Sequence, residues 1–310
     1  MGSSSHPFAA PTVSGNTISV DTYLKQPTRI TKMLEDLTLQ RFVSEYIFSK
    51  GPKPSGGAVI YDEITANDLY LDDDVQRIEP SGQFPRLDGS RLAPKVAKVS
   101  KYGGEVEIAW EARDRNDQRA FSRDITRLSN TIVRKINTQA IAALDAALAI
   151  HTAQATTMGA LGLDGWATGA AATGVVTGMG TAFAQIDRPD ALFSAVQLLA
   201  DVQELGIEYN CLLVNPTQTA QMSRIYGGAK NLRDVLGEAG MALVKSNRVT
   251  AGTGYFVAQG QVGGMGLEQP LATRVYTEDR HQRDVVQSSV IPLFYIDNPT
   301  AIVKVTGLGA

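Results

Sequence analysis

Residues 119–149 form one amphipathic pattern that is too long for an ordinary helix. Apolar side chains recur there at steps of three, four or five residues, at Phe121, Ile125, Leu128, Ile132, Ile136, Ile141, Leu144 and Leu148. No proline or glycine interrupts the pattern, which predicts a single helix with one apolar face. Such a helix would be about 45 Å long, whereas typical helices have about 11–12 residues. Such a helix could belong to the core of a large helical bundle or form a coiled-coil arm, and this pattern alone does not distinguish the two.

The composition is that of a folded protein and excludes several functional classes. Among 310 residues, 29 Lys and Arg stand against 32 Asp and Glu, which argues against a dedicated nucleic-acid binder with its basic excess. No apolar run approaches the roughly 18–20 residues that span a bilayer, and the N-terminus MGSSSHPFAAP does not resemble a signal peptide. Cys211 is the only cysteine, so no intrachain disulfide can form and a reducing compartment is the default.

The N-terminal third predicts an arm, a short helix and a long loop. Residues 1–28 are small, polar and interrupted by proline, which predicts an extended arm that only a partner orders. Residues 29–48 predict a short helix, which the glycines and prolines of 50–57 end. Strand-like alternation at 58–64 and at 96–110 brackets about thirty residues, against about 2–5 in a normal hairpin loop. Such a loop would be a lid in an enzyme, or an arm reaching a neighbour in an assembly.

The C-terminal half predicts an α/β unit followed by strands. Residues 190–226 alternate helix, strand and helix, with NCLLVNP as the strand and Thr217 as the expected N-cap of the second helix. A further short helix is expected in GGAKNLRDVLGEAGMAL. The remaining residues are strand-rich, and AIVKV is the expected final strand.

No pattern in the chain predicts a catalytic site, a metal site or a cofactor. The histidines His6, His151 and His281 lie apart, and neither HExxH nor paired-cysteine spacing occurs. No GxSxG motif appears, and Cys211 lies in an apolar strand where a buried, inert thiol is expected. The glycines of 250–266 precede a strand-like segment, so they predict loops and not a phosphate cradle at a helix N-terminus.

The ordered set of parts resembles the major capsid protein of tailed double-stranded DNA phages, the Hong Kong 97 fold. VQRIEPSGQFPRLD at 75–88, ahead of YGGEVEIAWEARDR at 102–115, resembles the extended loop and the strand that enters the long spine helix. LADVQELGIEYNCLLVNPTQTAQM at 199–222 resembles the helix, strand, Asn-Pro and helix of the axial domain. Residues 275–307 resemble the C-terminal strands, so the similarity covers nearly the whole chain from about residue 25.

The resemblance implies an α+β fold in five segments. They are an N-terminal arm with a short helix, an extended β loop, a peripheral domain with the spine helix, an α/β axial domain and strands that return to the peripheral domain. The implied boundaries are, in that order, 1–54, 55–100, 101–185, 186–271 and 272–310. In this family the arm and the loop cross onto adjacent subunits, and the spine helix packs against neighbours, which would explain its length.

The function implied by the resemblance is structural. The chain would self-assemble through hexamers and pentamers into an icosahedral shell that encloses packaged double-stranded DNA without sequence-specific binding. Implied partners are a portal, a separate scaffolding protein and decoration proteins, with no membrane, no cofactor and no enzymatic activity. The protein would reside in the virion after synthesis in the host bacterial cytoplasm. Two alternatives stay open: an encapsulin-type compartment that encloses cargo enzymes, and an α/β enzyme with residues 58–98 as a lid.

Covalent crosslinking of the shell is not expected. Some members of the family crosslink through a lysine of the extended loop and an asparagine near the C-terminus. Asn298 in DNPT lies near the C-terminus, but no lysine occurs from Pro54 to Pro94. Detergent should therefore release this chain from a shell as a monomer.

Two charged segments form the candidate contact between copies. From Asp62 to Arg91, eight acidic residues stand against three basic ones, and the absence of EF-hand spacing argues against a calcium site. On the long helix, arginines recur every four residues beside the apolar face. Because the family's extended loop lies over an adjacent subunit, we expect the acidic residues to approach the arginines of a neighbour; the alternative is two solvated surfaces. The residues are Asp72, Asp73 and Asp74 in the loop and Arg119, Arg123 and Arg127 on the helix.

Overall fold

The structure is a computed structural model, and it describes residues 20–39, 42–54, 56–65, 68, 75, 77–78, 80, 83–84, 93–157, 159–161 and 189–308. The α-helices are Val20–Lys25 (α1), Pro27–Leu39 (α2), Ser44–Ile47 (α3), Trp110–Asp114 (α4), Gln118–Ile150 (α5), Pro189–Val202 (α6), Pro216–Ile225 (α7) and Ala229–Glu238 (α8). The strands are Ser49–Lys50 (β1), Ala58–Tyr61 (β2), Lys95–Lys98 (β3), Tyr102–Ala109 (β4), Ala155–Thr157 (β5), Cys211–Val214 (β6), Ala242–Lys245 (β7), Thr253–Val257 (β8), Gly263–Glu278 (β9), Arg283–Ile296 (β10) and Ile302–Thr306 (β11).

The predicted long helix is confirmed as α5, which has 33 residues. Its N-terminus is capped by Asp117, whose Oδ1 accepts a hydrogen bond from the N–H of Ala120 at 3.0 Å. All eight apolar positions of the predicted face are buried. Because these buried side chains all lie on one face of the helix, the packing of that face stabilises α5 more than its intrinsic helix propensity does. Among the described residues, no helix combines the length and the apolar character that crossing a membrane requires.

The described residues divide into two compact units. The first unit comprises the described residues within 20–42, 99–137 and 267–293, and the second comprises those within 43–98, 138–266 and 294–308. The helix α5 contributes residues to both units, as do the strands β9 and β10. The five-segment division that the resemblance implies remains a proposal.

The core of the first unit joins α1 and α2 to α5. Val20 and Leu24 are buried, and the ring of Tyr23 lies 5.5 Å from that of Phe121. The prediction of an extended arm is therefore wrong for residues 20–28, which form α1 and the start of α2. A helix of six residues is too short to show a period in the sequence, which is why its two apolar anchors were missed. Residues 1–19 lie outside the described residues.

Two further predictions about the N-terminal third need correction. The helix expected over 29–48 is split between α2 and α3. The strand β4 pairs antiparallel with β10, from Tyr102↔Val290 to Ala109↔Arg283, and not with the strand near residue 60. The long hairpin is therefore limited to β2 and β3, because β4 finds its partner far away in the sequence.

The second unit contains a five-stranded sheet in the order β5-β11-β8-β6-β7. Helix α6, strand β6 and helix α7 confirm the predicted α/β unit, and all four residues of β6 are buried. The N-cap of α7 is Asn215 and not Thr217, because Asn215 Oδ1 accepts a hydrogen bond from the N–H of Thr217 at 3.0 Å. Pro216 then occupies the first turn of the helix, where its missing N–H costs nothing.

The predicted final strand is confirmed as β11. It pairs antiparallel with β8, from Ile302↔Val257 to Thr306↔Thr253, and parallel with β5. The other four strands of this sheet lie between residues 155 and 257, so β11 completes the core of the second unit. A separate sheet has the order β1-β9-β10-β4, and β2 and β3 form a two-stranded ribbon.

Candidate assembly surfaces

Three arginines of α5 form an exposed basic stripe. We call Arg119, Arg123 and Arg127 the arginine stripe; all three are exposed, and a spacing of four residues places them on one side of the helix. Asp124 lies among them, with its Oδ1 at 3.1 Å from Arg127 Nη1 and 3.9 Å from Arg123 Nε. These ion pairs are solvent-exposed and each contributes only about 0–1 kcal/mol. Three positive charges against one negative leave the stripe basic.

The acidic half of the predicted contact lies outside the described residues. Asp72, Asp73 and Asp74 are therefore not placed by the structure. Their approach to the arginine stripe of a neighbouring copy remains a prediction.

The ribbon of β2 and β3 exposes an apolar cross-strand pair. Its four residue pairs run from Ala58↔Lys98 to Tyr61↔Lys95, and Ile60 stands opposite Val96. The side chains of both are exposed, by 71% for Ile60 and 55% for Val96. We call this pair the exposed ribbon face. An isolated two-stranded ribbon is at best marginally stable in water. Because exposed apolar faces commonly mark contacts with another molecule, this face is a candidate contact surface.

The other side of the ribbon is anchored within the second unit. The ring of Tyr61 lies 5.4 Å from the ring of Tyr295, and the N–H of Ile64 donates to the carbonyl of Asp297 at 2.6 Å. The buried carboxylate of Glu63 forms an ion pair with Lys95, and its Oε1 lies 3.0 Å from His151 Nε2. This cluster could not be predicted from sequence, because 88 positions separate Glu63 from His151 and no motif links them.

A second buried carboxylate holds the first unit together. Asp284 accepts hydrogen bonds from Arg113 Nη1 and Thr277 Oγ1, both at 2.8 Å, and the Arg113 guanidinium lies 5.3 Å from the centre of the Trp110 ring. At the nearby turn, hydrogen bonds from Arg283 and His281 lower the pKa of Glu278. Because a buried charge is tolerated only when it is paired, we interpret Asp284 as a structural residue that joins α4 to β9 and β10.

The residues that resemble catalytic groups have structural surroundings. Burial raises the pKa of the Cys211 thiol to about 11, so at neutral pH it is protonated and a poor nucleophile. Gly252 and Gly260 adopt positive φ in turns next to β8, where such backbone favours glycine. His281 pairs with Glu278 at 2.8 Å, and His6 lies outside the described residues. Wherever the structure describes side chains, no three His, Cys, Asp or Glu gather as a metal site.

The sequence of the chain matches a known family over most of its length. A family model described as phage capsid protein matches residues 93–305, which is more than half of the chain. No curated protein sequence matches the chain.

Several solved structures share the fold at low sequence identity. A virus-like particle from Pyrococcus furiosus is 14% identical, with a TM-score of 0.59 over 90% of this chain and 98% of that one. A structure from Mycobacterium phage Bobi is 12% identical, with a TM-score of 0.57 over 88% and 90%. The capsid structure of Cyanophage P-SCSP1u is 18% identical, with a TM-score of 0.54 over 87% and 88%. The chain therefore belongs to the phage capsid protein family, and it has the mixed helix and sheet fold of a major capsid protein.

Proposed function

We propose that this capsid protein assembles through hexamers and pentamers into an icosahedral shell that encloses packaged double-stranded DNA. The observation that carries the proposal is the exposed ribbon face, an apolar pair that the described part of its own chain leaves uncovered. A second copy would remove this pair from water, at about 25 cal/mol per Å² of apolar area buried. Small contacts of this kind, repeated at every subunit, stabilise a closed shell.

The family's architecture supplies the rest of the proposal. The arm of 1–54 and the loop of 55–100 would reach neighbouring subunits, segments 101–185 and 272–310 would form the peripheral domain, and 186–271 would form the axial domain. In the same arrangement, Asp72, Asp73 and Asp74 would lie near the arginine stripe of a neighbour. A portal, a separate scaffolding protein and decoration proteins would complete the particle, and synthesis would take place in the host bacterial cytoplasm.

Electron microscopy of the purified protein tests the proposed assembly. We expect closed particles with icosahedral symmetry, built from rings of six and five subunits. Only monomers in solution, or only open sheets and tubes at every salt concentration, would contradict it. Nuclease treatment of particles from infected cells tests the contents, since packaged DNA should be protected inside the shell.

A cargo compartment is the second candidate function. It is favoured by the similarity in fold to a structure described as a virus-like particle from Pyrococcus furiosus. The two candidates differ in what the shell holds: protected DNA of uniform length for the phage capsid, and a co-purifying host protein for the compartment. The family match favours a structural role over the enzyme alternative with residues 58–98 as a lid.

A further inference from the structure

We propose that Glu63 is a positioning residue, a latch that ties the base of the long loop to the end of the long helix. The latch fixes the point at which residues 62–94 leave the ribbon. The geometry of the latch is given by contacts within a single chain. Its consequence for assembly rests on the proposed shell function, because only then does the position of the loop matter to a neighbour.

One carboxylate joins three separate pieces of the chain. Glu63 follows β2 by two residues, Lys95 is the first residue of β3, and His151 follows the last residue of α5. Glu63 Oε1 lies 3.0 Å from His151 Nε2, while its Oε2 pairs with Lys95 Nζ. Both carboxylate oxygens therefore bind a donor, and the two strands and the helix end meet at this single group.

Lys95 and Tyr61 form the last pair of the ribbon before the loop begins. The contact between Glu63 and Lys95 therefore holds together the two ends of the loop from 62 to 94. The ribbon itself has only four residue pairs, and a two-stranded ribbon of this size is marginal without further contacts. Glu63 supplies such a contact at the end where the ribbon would otherwise fray.

The backbone around Glu63 is held in place independently of its charge. Tyr61 packs on Tyr295, and the N–H of Ile64 donates to the Asp297 carbonyl. A Cβ on Gly51 would lie 2.9 Å from Tyr295 Cε1, so the ring packs closely against this glycine and would have to shift to admit a side chain. Because the residues on both sides of Glu63 are fixed, its side chain is aimed at His151 and Lys95 at little further entropic cost.

The three side chains differ in their solvent exposure, and this difference predicts which substitution loosens the ribbon more. The side chain of Glu63 is 5% exposed, whereas those of Lys95 and His151 are 36% and 22% exposed. Removing a donor leaves a buried carboxylate short of a partner, which costs more than removing the carboxylate and letting Lys95 and His151 turn to water. Lys95→Met should therefore loosen the loop base more than Glu63→Gln.

Hydrogen exchange of the free, unassembled full chain tests the latch. In Glu63→Gln, the amides of Ala58–Tyr61 and Lys95–Lys98 should exchange about tenfold faster or more, which corresponds to losing a charge-assisted hydrogen bond of about 1.5 kcal/mol or more. Exchange in the middle of α5 should not change. Lys95→Met should give a larger acceleration than Glu63→Gln.

Asp145→Asn is the matched control. Asp145 is a carboxylate of α5 in the same unit as Glu63, and its Oδ1 accepts from Tyr255 Oη and Lys304 Nζ, both at 2.7 Å. It ties α5 to the sheet and not to the ribbon, so its substitution should leave ribbon exchange unchanged. Unchanged ribbon exchange in Glu63→Gln, or the same acceleration in Asp145→Asn, would overturn the latch.

Assembly is measured separately, so that the two proposals can fail separately. If the wild-type chain forms no shells, the shell proposal fails, and the exchange result still decides the latch. If Glu63→Gln loosens the ribbon, we expect it to raise the protein concentration at which shells form. A loosened ribbon with unchanged shell formation would refute the link between the latch and assembly.

Discussion

The strands β6 and β2 have similar sequences and opposite surroundings. β6 (CLLV) pairs with β7 on one side and β8 on the other, and all four of its residues are buried. β2 (AVIY) pairs with β3 alone among the described strands, and its Ile60 is 71% exposed. The apolar pattern that makes a strand is thus the same in a strand that its own chain buries and in one that stays exposed on the described part of its chain. The comparison separates residues that hold the subunit together from residues that we propose to contact a second copy.

The largest expected effect is the loss of a buried side chain of β6. Leu213 is completely buried, so Leu213→Ala should lower the free energy of unfolding of the free subunit by about 2–5 kcal/mol through lost burial and a cavity. Denaturant unfolding measures the change. Ile60→Ala is the control on the ribbon and should cost about 0.5 kcal/mol or less. Equal losses at both positions would break the comparison.

Alkaline pH should destabilise the buried sheet. Burial raises the pKa of Cys211 from its ordinary 9.0 to about 11, and burial also raises the pKa of Tyr209 and Tyr255. Above about pH 9 the unfolded chain releases these protons while the folded chain keeps them, so the stability present below pH 9 falls as the pH rises. Denaturant unfolding at pH 7 and pH 10 tests this, and Cys211→Ala should weaken the dependence. A flat profile would show that these groups are not buried in solution.

A polar residue on the exposed ribbon face should impair assembly and spare the subunit. If a second copy buries Ile60, Ile60→Ser removes about 1.5–3 kcal/mol per contact, which raises the concentration needed for shells by about tenfold or more. Light scattering against protein concentration measures this, and Ile60→Val is the matched control because it keeps most of the apolar area. Normal assembly of Ile60→Ser would mean that nothing covers this face.

The smallest expected effect belongs to the arginine stripe. Arg123→Glu should impair assembly at low salt while leaving the subunit folded, and Asp73→Lys should partly restore it. Each exposed pair is worth only about 0.2–1 kcal/mol and less at high salt, so the defect should be visible mainly below physiological ionic strength. Arg123→Lys keeps the charge and serves as the control. Undiminished assembly of Arg123→Glu at low salt would rule the contact out.

Local patterns predicted the elements, while distant pairings could not be predicted. The periodicity of α5 and the apolar run of β6 each lie within one short stretch, so the sequence alone indicates them. The partner of β4 is β10, more than 170 positions away, and Glu63 meets His151 across 88 positions. Tertiary contacts of this kind leave no period in the sequence. The prediction of Thr217 as the N-cap in place of Asn215 failed for a smaller reason, since both residue types can cap and Pro216 occupies the first turn.

Because Cys211 is unreactive, the chain is suited to thiol labelling at an introduced cysteine. It is the only cysteine in 310 residues, and it is buried with its thiol protonated at neutral pH. A cysteine introduced by Ile60→Cys would therefore be the one fast-reacting thiol of the folded protein. Its rate of modification in free subunits and in particles would report directly how much of the ribbon a neighbour shields, without first removing the natural cysteine.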